Sequence, residues 1–214
     1  MRSTEILRQH KAIFWDFDGV IKESVEVKNR AFYQLFLPFG DIVALRVCEH
    51  HIANGGMSRM DKMPLYLQWA GQAGSVSTID AFCMRFGEMV LQAVVDAPWV
   101  PGVESLLRTN PYRQTFFVVS ATPQGELEEI LHKLDLTQCF SRIYGAPTRK
   151  TDAIQMALAE QGLEPCDCLM IGDALADLEA AEANAVPFLL RRHATNAELF
   201  SSYAGPSVED FAEP

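Results

Sequence analysis

The chain has 214 residues, 49% hydrophobic and 21% charged, with 28 acidic and 18 basic side chains and a formal net charge of −10. That length suits one large or two modest domains and buries roughly 70% of the surface the unfolded chain would expose, while the composition excludes a disordered chain, a collagen repeat and a disulfide-built miniprotein. The acidic excess argues against a nucleic-acid backbone or an anionic membrane surface as partner, but a small anionic ligand needs only a local cluster of positive charge.

The opening segment, MRSTEILRQHK, is charged and has no apolar stretch of signal-peptide length. No apolar run reaches the roughly 18 residues a membrane helix requires. An odd set of cysteines, Cys48, Cys83, Cys139, Cys166 and Cys168, fits a reducing compartment, so a cytoplasmic protein is expected. One residue separates Cys166 from Cys168, where a zinc knuckle has two, and both read as packing residues.

The first element is an apolar run, AIFW at 12–15. Residues 24–95 then lack a convincing buried strand but show helical periodicity at 27–36, 62–69 and 79–94. Breakers divide these stretches at Pro38-Phe39-Gly40, at Asn54-Gly55-Gly56 and across 71–77. Pro98 and Pro101-Gly102 mark a return to alternation. Helical patterns at 102–109, 126–134, 151–161 and 176–183 separate apolar runs at 115–119, 168–171 and 186–190, with a weaker run at 142–144. Continuous apolarity is the mark of strands covered on both faces. The order predicts an α/β fold, a doubly wound, Rossmann-like parallel sheet reached by right-handed crossovers. Residues 1–22 and 96–214 are expected to form this core, with 23–95 inserted as an all-helical cap. The stretch 195–214 has weak periodicity and reads as a terminal helix or a loose tail.

Ligands of open α/β sheets bind beyond the carboxyl ends of the strands. Asp16-Phe17-Asp18-Gly19-Val20 follow the first strand and Ser120-Ala121-Thr122 the second; Lys150 lies near the next crossover, and Gly172-Asp173 with Asp177 follow the run CLMI. Each has a bland reading alone: a turn, a helix cap, a solvated lysine, a first-turn acid favoured by the helix dipole. Together they place several carboxylates at one sheet edge, where mutual repulsion raises their pKa values. A magnesium ion removes that repulsion and typically bridges to a substrate phosphate. A hydroxyl, backbone amides and an ammonium complete a cradle for a phosphoryl group. Asp16 and Asp18, two apart in extended backbone, are expected to point the same way.

The ordered set DFDGV, VVSAT, a lone lysine and GDxxxD resembles the haloacid dehalogenase superfamily, over the whole chain apart from its tail. The resemblance implies that Asp16 is the nucleophile, forming an aspartyl-phosphate, and that Asp18 protonates the leaving alkoxide and then activates water. It implies Mg²⁺ held by the Asp16 carboxylate, the Asp18 carbonyl and Asp173. Ser120 and the Ala121 amide would bind phosphoryl oxygens, Lys150 would neutralise charge, and Asp177 would orient water or Lys150. The retained Asp18 favours phosphoryl transfer over dehalogenation. The insert resembles the family's first type of cap, and NGGMSRMDK at 54–62 resembles the specificity loop of β-phosphoglucomutase-like members. Gly55 and Gly56 would let backbone approach a ligand, and Arg59 could fork onto a hydroxyl, carboxylate or second phosphate. The bland reading of this loop is a helix cap at Ser58 followed by two solvated cations. Mutase members have a histidine where this chain has Lys28, counted here among the substrate-binding residues; the departure favours hydrolysis. His50-His51 read as ordinary cap residues. The expectation is a magnesium-dependent phosphatase of a small phosphorylated metabolite such as a sugar phosphate, with a phosphomutase or a non-catalytic binding protein on the same scaffold as alternatives.

Overall fold

The computed structural model describes residues 3–212. Helix α1 (Ser3–Leu7) leads into strand β1 (Ala12–Trp15), which is buried along its length. Four helices follow: α2 (Val25–Phe36), α3 (Asp41–Ala53), α4 (Arg59–Trp69) and α5 (Val76–Asp96). The chain then runs through α6 (Val103–Thr109), β2 (Thr115–Pro123), α7 (Gln124–Lys133), β3 (Arg142–Ala146) and α8 (Lys150–Gln161). Strand β4 (Cys168–Gly172), helix α9 (Leu175–Ala183) and strands β5 (Phe188–Arg191) and β6 (Ser207–Val208) complete it.

Alternation along β1 sends Ala12 and Phe14 to one face and Ile13 and Trp15 to the other, where they join separate apolar cores. A strand apolar on both sides needs neighbours and covers everywhere. β2 and β4 flank it, and the sheet order is β3-β2-β1-β4-β5-β6 with every pairing parallel. Val103 and Leu107 of α6 and Leu127 and Ile130 of α7 cover the Trp15 face. Ala153, Ile154 and Ala157 of α8 and Ala180 and Ala181 of α9 cover the Phe14 face. This is the doubly wound parallel sheet that the alternating pattern predicts, with an all-helical insertion after its first strand.

The inserted helices have an aromatic centre. Phe32 and Phe86 rings lie 4.1 Å apart and Phe36 meets Tyr66 edge-on at 5.8 Å. Ser58 and Ser75 start α4 and α5, their hydroxyls accepting from the amides of Met60 and Thr78 at 3.2 Å. Periodicity missed α3, because its exposed face also carries Ile42, 84% exposed, with Leu45 and Ile52. With apolar residues on both sides, the stripe blurs.

Two further departures lie in the core. β2 continues past Val119 to Pro123, with its register against β3 shifting between those residues, so Ser120-Ala121-Thr122 lie inside a strand rather than after it. The C-terminal stretch is neither a terminal helix nor a loose tail. β6 adds an edge to the sheet, and Phe211 is buried with its ring 5.5 Å from Trp15. A two-residue strand and one aromatic anchor are too little for periodicity to reveal. Residues 213–214 of that stretch lie outside the described residues. No described helix is long and apolar enough to cross a membrane, and all five cysteines are free thiols.

Candidate active site

β1 delivers Asp16 to the carboxyl edge of the sheet, where its amide still pairs with Ile171 at 3.0 Å. Its Oδ1 accepts from the Phe17 amide at 2.7 Å. The strand ends at Trp15, so Asp16 and Asp18 do not share a direction by strand alternation, as the sequence suggests; a tight turn brings both to the same cleft. Gly19 makes that turn at φ +75°, and a Cβ there would lie 2.2 Å from Asp173 Oδ2. A side chain at 19 would therefore strain the backbone and collide with the site.

Asp18 is fully engaged. Ser24 Oγ donates to its Oδ1 at 2.6 Å, Thr122 Oγ1 to Oδ2 at 3.2 Å, and Lys28 makes an ion pair with it. Lys28 also donates to Thr122 at 2.8 Å. Burial pushes the Asp18 carboxyl up, but the Lys28 ammonium and the hydroxyl donors outweigh it, and the group lies below its ordinary range. The register shift in β2 is what aims Thr122 here. Ser120, buried next to it, accepts from the Thr122 amide at 3.1 Å, and Ser120 and Ala121 line the cleft.

Lys150 is the first residue of α8. Its Nζ lies 2.9 Å from Asp16 Oδ2 and 2.5 Å from Asp177 Oδ1. Asp177, in the first turn of α9, accepts on Oδ2 from the amides of Asp173 at 3.2 Å and Ala174 at 3.0 Å. Asp173 closes the group, its Oδ2 2.8 Å from His193 Nε2. Burial and then the Asp177 charge raise Asp16 to about 7, against the opposing pull of Lys150. Burial also raises Asp173 and Asp177, while Asp16 and Asp177 hold the Lys150 ammonium above its ordinary value despite its burial.

Carboxylate oxygens of Asp16, Asp173 and Asp177 all come within 4.8 Å of one another. Three buried acids against one ammonium leave uncompensated negative charge, and an all-oxygen donor set suits a hard divalent cation. Both oxygens of Asp177 are already occupied by Lys150 and two amides. Asp16 is also engaged at both oxygens, by the Phe17 amide and by Lys150, and would share them with an ion, whereas Asp173 is paired through Oδ2 alone.

The cleft, about 850 Å³ including some open solvent, has walls from both the sheet edge and the inserted helices. Gly55 and Gly56 line it. A Cβ on Gly56, at φ +78°, would lie 2.9 Å from Ala176 Cβ and 3.7 Å from Lys150 Nζ, so the backbone close approach expected there is made to the core itself. Arg59 lines the same wall, but its guanidinium is paired with Glu126 of α7 at 2.5 Å, donates to the Cys83 carbonyl at 3.3 Å and lies 4.7 Å over the Phe86 ring. Ser58 caps α4 as the bland reading has it. Neither cation beyond it is solvated: Arg59 is 6% exposed and Lys62 1%. His51 is likewise more than an ordinary cap residue by position, since it lines the cleft against Lys62.

Sequence reading missed His193 and Asn196, although the rule that found the others, that ligands bind beyond the carboxyl ends of the strands, applies equally at the end of β5. Asn196 Nδ2 donates to the Asp173 carbonyl at 2.9 Å, and Thr195 Oγ1 lies 2.6 Å from His193 Nδ1.

The family model of the haloacid dehalogenase-like hydrolases matches residues 10–184, and the chain belongs to that family of hydrolases. No curated protein matches the sequence. Among solved structures, a variant of CbbY from Rhodobacter sphaeroides in complex with xylulose-(1,5)bisphosphate is 18% identical with a TM-score of 0.75, covering 95% of this chain and 96% of its own. β-Phosphoglucomutase from Clostridium difficile is 20% identical with a TM-score of 0.75, over 94% and 92% of the two chains. A predicted phosphoglycolate phosphatase from Haemophilus somnus is 17% identical with a TM-score of 0.73, over 95% and 96%. At such identities the likeness is one of fold.

Proposed function

We propose that the protein is a magnesium-dependent phosphatase of a small phosphorylated metabolite, a sugar phosphate or a compound of similar size, in a reducing compartment such as the cytoplasm. The observation that carries this reading is the buried Asp16–Lys150–Asp177 chain beside Asp173, at the sheet edge of a haloacid dehalogenase-like hydrolase. Asp16 and Asp173, with the Asp18 carbonyl, would hold the ion. Bound there, Mg²⁺ supplies positive charge to the phosphoryl oxygens and keeps Asp16 ionised.

An Asp16 carboxylate oxygen attacks phosphorus, the phosphorus–oxygen ester bond breaks, and the leaving alkoxide takes a proton from Asp18. Water then attacks the aspartyl-phosphate, giving its proton to Asp18 while the bond from phosphorus to Asp16 breaks and inorganic phosphate leaves. Lys150 balances charge on Asp16 throughout, and the Ser120 hydroxyl with the Ala121 amide binds phosphoryl oxygens. Asp177 positions Lys150. Residues 23–95 act as a cap that excludes water from the step. Lys28, where a mutase would carry histidine, holds Asp18 ionised in the free enzyme. The proton that Asp18 gives the alkoxide therefore arrives with the substrate, bound as its phosphate monoanion, and the proton that Asp18 then takes from water leaves with inorganic phosphate. A group that returns to the ionised form beside Lys28 favours hydrolysis.

The test is phosphate release from p-nitrophenyl phosphate and a panel of sugar phosphates. Turnover with Mg²⁺, lost in EDTA and in Asp16→Asn, is expected. Wild-type protein that releases no phosphate from any of them with Mg²⁺ present overturns the reading.

A further inference from the structure

Four cations line the cleft, and three are matched. Lys150 has Asp16 and Asp177, Lys28 has Asp18, and Arg59 has Glu126. The fourth, Lys62, is 1% exposed, and among the described residues no carboxylate lies within ion-pair distance of it. Its Nζ instead donates to Nδ1 of His51 at 2.9 Å. His51 is braced against the Phe32 ring at 4.5 Å, and Phe32 and Phe86 make the same wall apolar. An ammonium removed from water without an anion is costly, and a protein ordinarily pairs it or omits it. A neutral imidazole can fix its direction but cannot balance its charge. The missing counter-charge belongs to something that enters the cleft.

We propose that Lys62, oriented by His51, anchors a second anionic group on the substrate, a carboxylate or a distal phosphate, while the phosphoryl group to be cleaved lies against Asp16. This rests on the phosphatase reading and narrows its substrates to phosphoesters with an anion at their far end. An exposed lysine would attract such a group weakly through water. This one, buried and paired among the described residues with His51 alone, exchanges an uncompensated charge for a paired one on binding.

The experiment compares three series of matched chain length, two to six carbons: ω-carboxyalkyl phosphates, α,ω-alkanediol bisphosphates and uncharged alkyl phosphates. The kcat/KM ratio of each charged series to the uncharged one is measured for wild type, Lys62→Met and Lys62→Arg. On the order of a tenfold preference at the best length is expected in wild type, reduced to near unity in Lys62→Met and kept in Lys62→Arg. Which charged series is favoured identifies the anion as carboxylate or phosphate. Equal ratios at every length in wild type, or a preference that survives Lys62→Met, overturn the proposal and leave the phosphatase reading intact. The corresponding phosphonates, which cannot be hydrolysed, are tested in parallel by thermal shift. If no phosphoester turns over, the phosphatase reading fails on its own, and the anchor then stands or falls on whether ω-phosphonocarboxylates or bisphosphonates raise Tm more than alkylphosphonates in wild type but not in Lys62→Met.

Discussion

A lysine buried without an anion carries its cost in the free protein. Burial, and then the nearby Lys28 charge, lower Lys62 from 10.5 to about 7. Between those two values the unfolded chain holds a proton that the folded one has released, so this residue makes stability rise with pH across that window. Below about pH 7 both states are charged and the whole penalty is felt. Lys62→Met removes it. The variant should be more stable than wild type by on the order of a few kcal/mol at pH 6, with the gain fading as pH approaches 10. Urea midpoints across pH 6 to 10 check this, and equal midpoints at pH 6 would show that the ammonium is satisfied in the free protein. The sequence shows Lys62 four residues after a legible cap at Ser58, on what reads as a solvated face. Its hydrogen-bond partner is His51, in a helix that periodicity did not reveal. A residue's local signal cannot report a neighbour from another element.

Between elements, the ion pair from Arg59 of α4 to Glu126 of α7 joins the inserted helices to the core. Side-chain exposures of 6% and 13% place it among pairs whose breaking is expensive. Gly87 of α5 leaves room for it, since a Cβ there would lie 2.8 Å from Glu126 Oε2 and 3.1 Å from Arg59 Nη1. A glycine inside a helix ordinarily costs about 1 kcal/mol relative to alanine. Here Gly87→Ala should destabilise instead, because the added methyl displaces the pair. Glu126→Ala alone should cost about 3 kcal/mol by stranding a buried guanidinium. In the Glu126→Ala background the alanine at 87 should become favourable, a change of sign that a double-mutant cycle of denaturation midpoints measures. Additive effects would sever Gly87 from the ion pair. Sequence alone offered Arg59 as a fork for a ligand, which its chemistry allows. Glu126, 67 positions away at the start of a predicted helix, carries no signal that it is the partner.

Across the whole chain, the order of strands was the most legible property, because buried strands are continuous apolar runs and their alternation with helices admits few topologies. That order placed Asp16, Ser120, Lys150 and Asp173 at one edge before any contact was known. Net charge was not informative at that scale: a formal −10 says nothing of three acids gathered in one buried cluster. The cluster does set how stability responds to pH and metal. Asp16 is raised to about 7 from an ordinary 3.8, and Asp173 and Asp177 are raised too, so the folded metal-free protein binds protons there that the unfolded chain has lost. Their contribution to stability therefore falls as pH rises from about 4 through about 7; Asp18, held low by Lys28, runs the other way. A divalent cation competes with those protons, so its effect must grow as they leave. With Mg²⁺ at about 100 times its dissociation constant, Tm should rise by roughly 5–10 °C at pH 8. The rise should be much smaller at pH 5, where protons hold the carboxylates. Asp173→Asn, which keeps the shape of the side chain but not its charge, should lose most of the pH 8 shift in the same thermal scans. A shift of equal size at both pH values, or one that survives Asp173→Asn, would place the ion elsewhere.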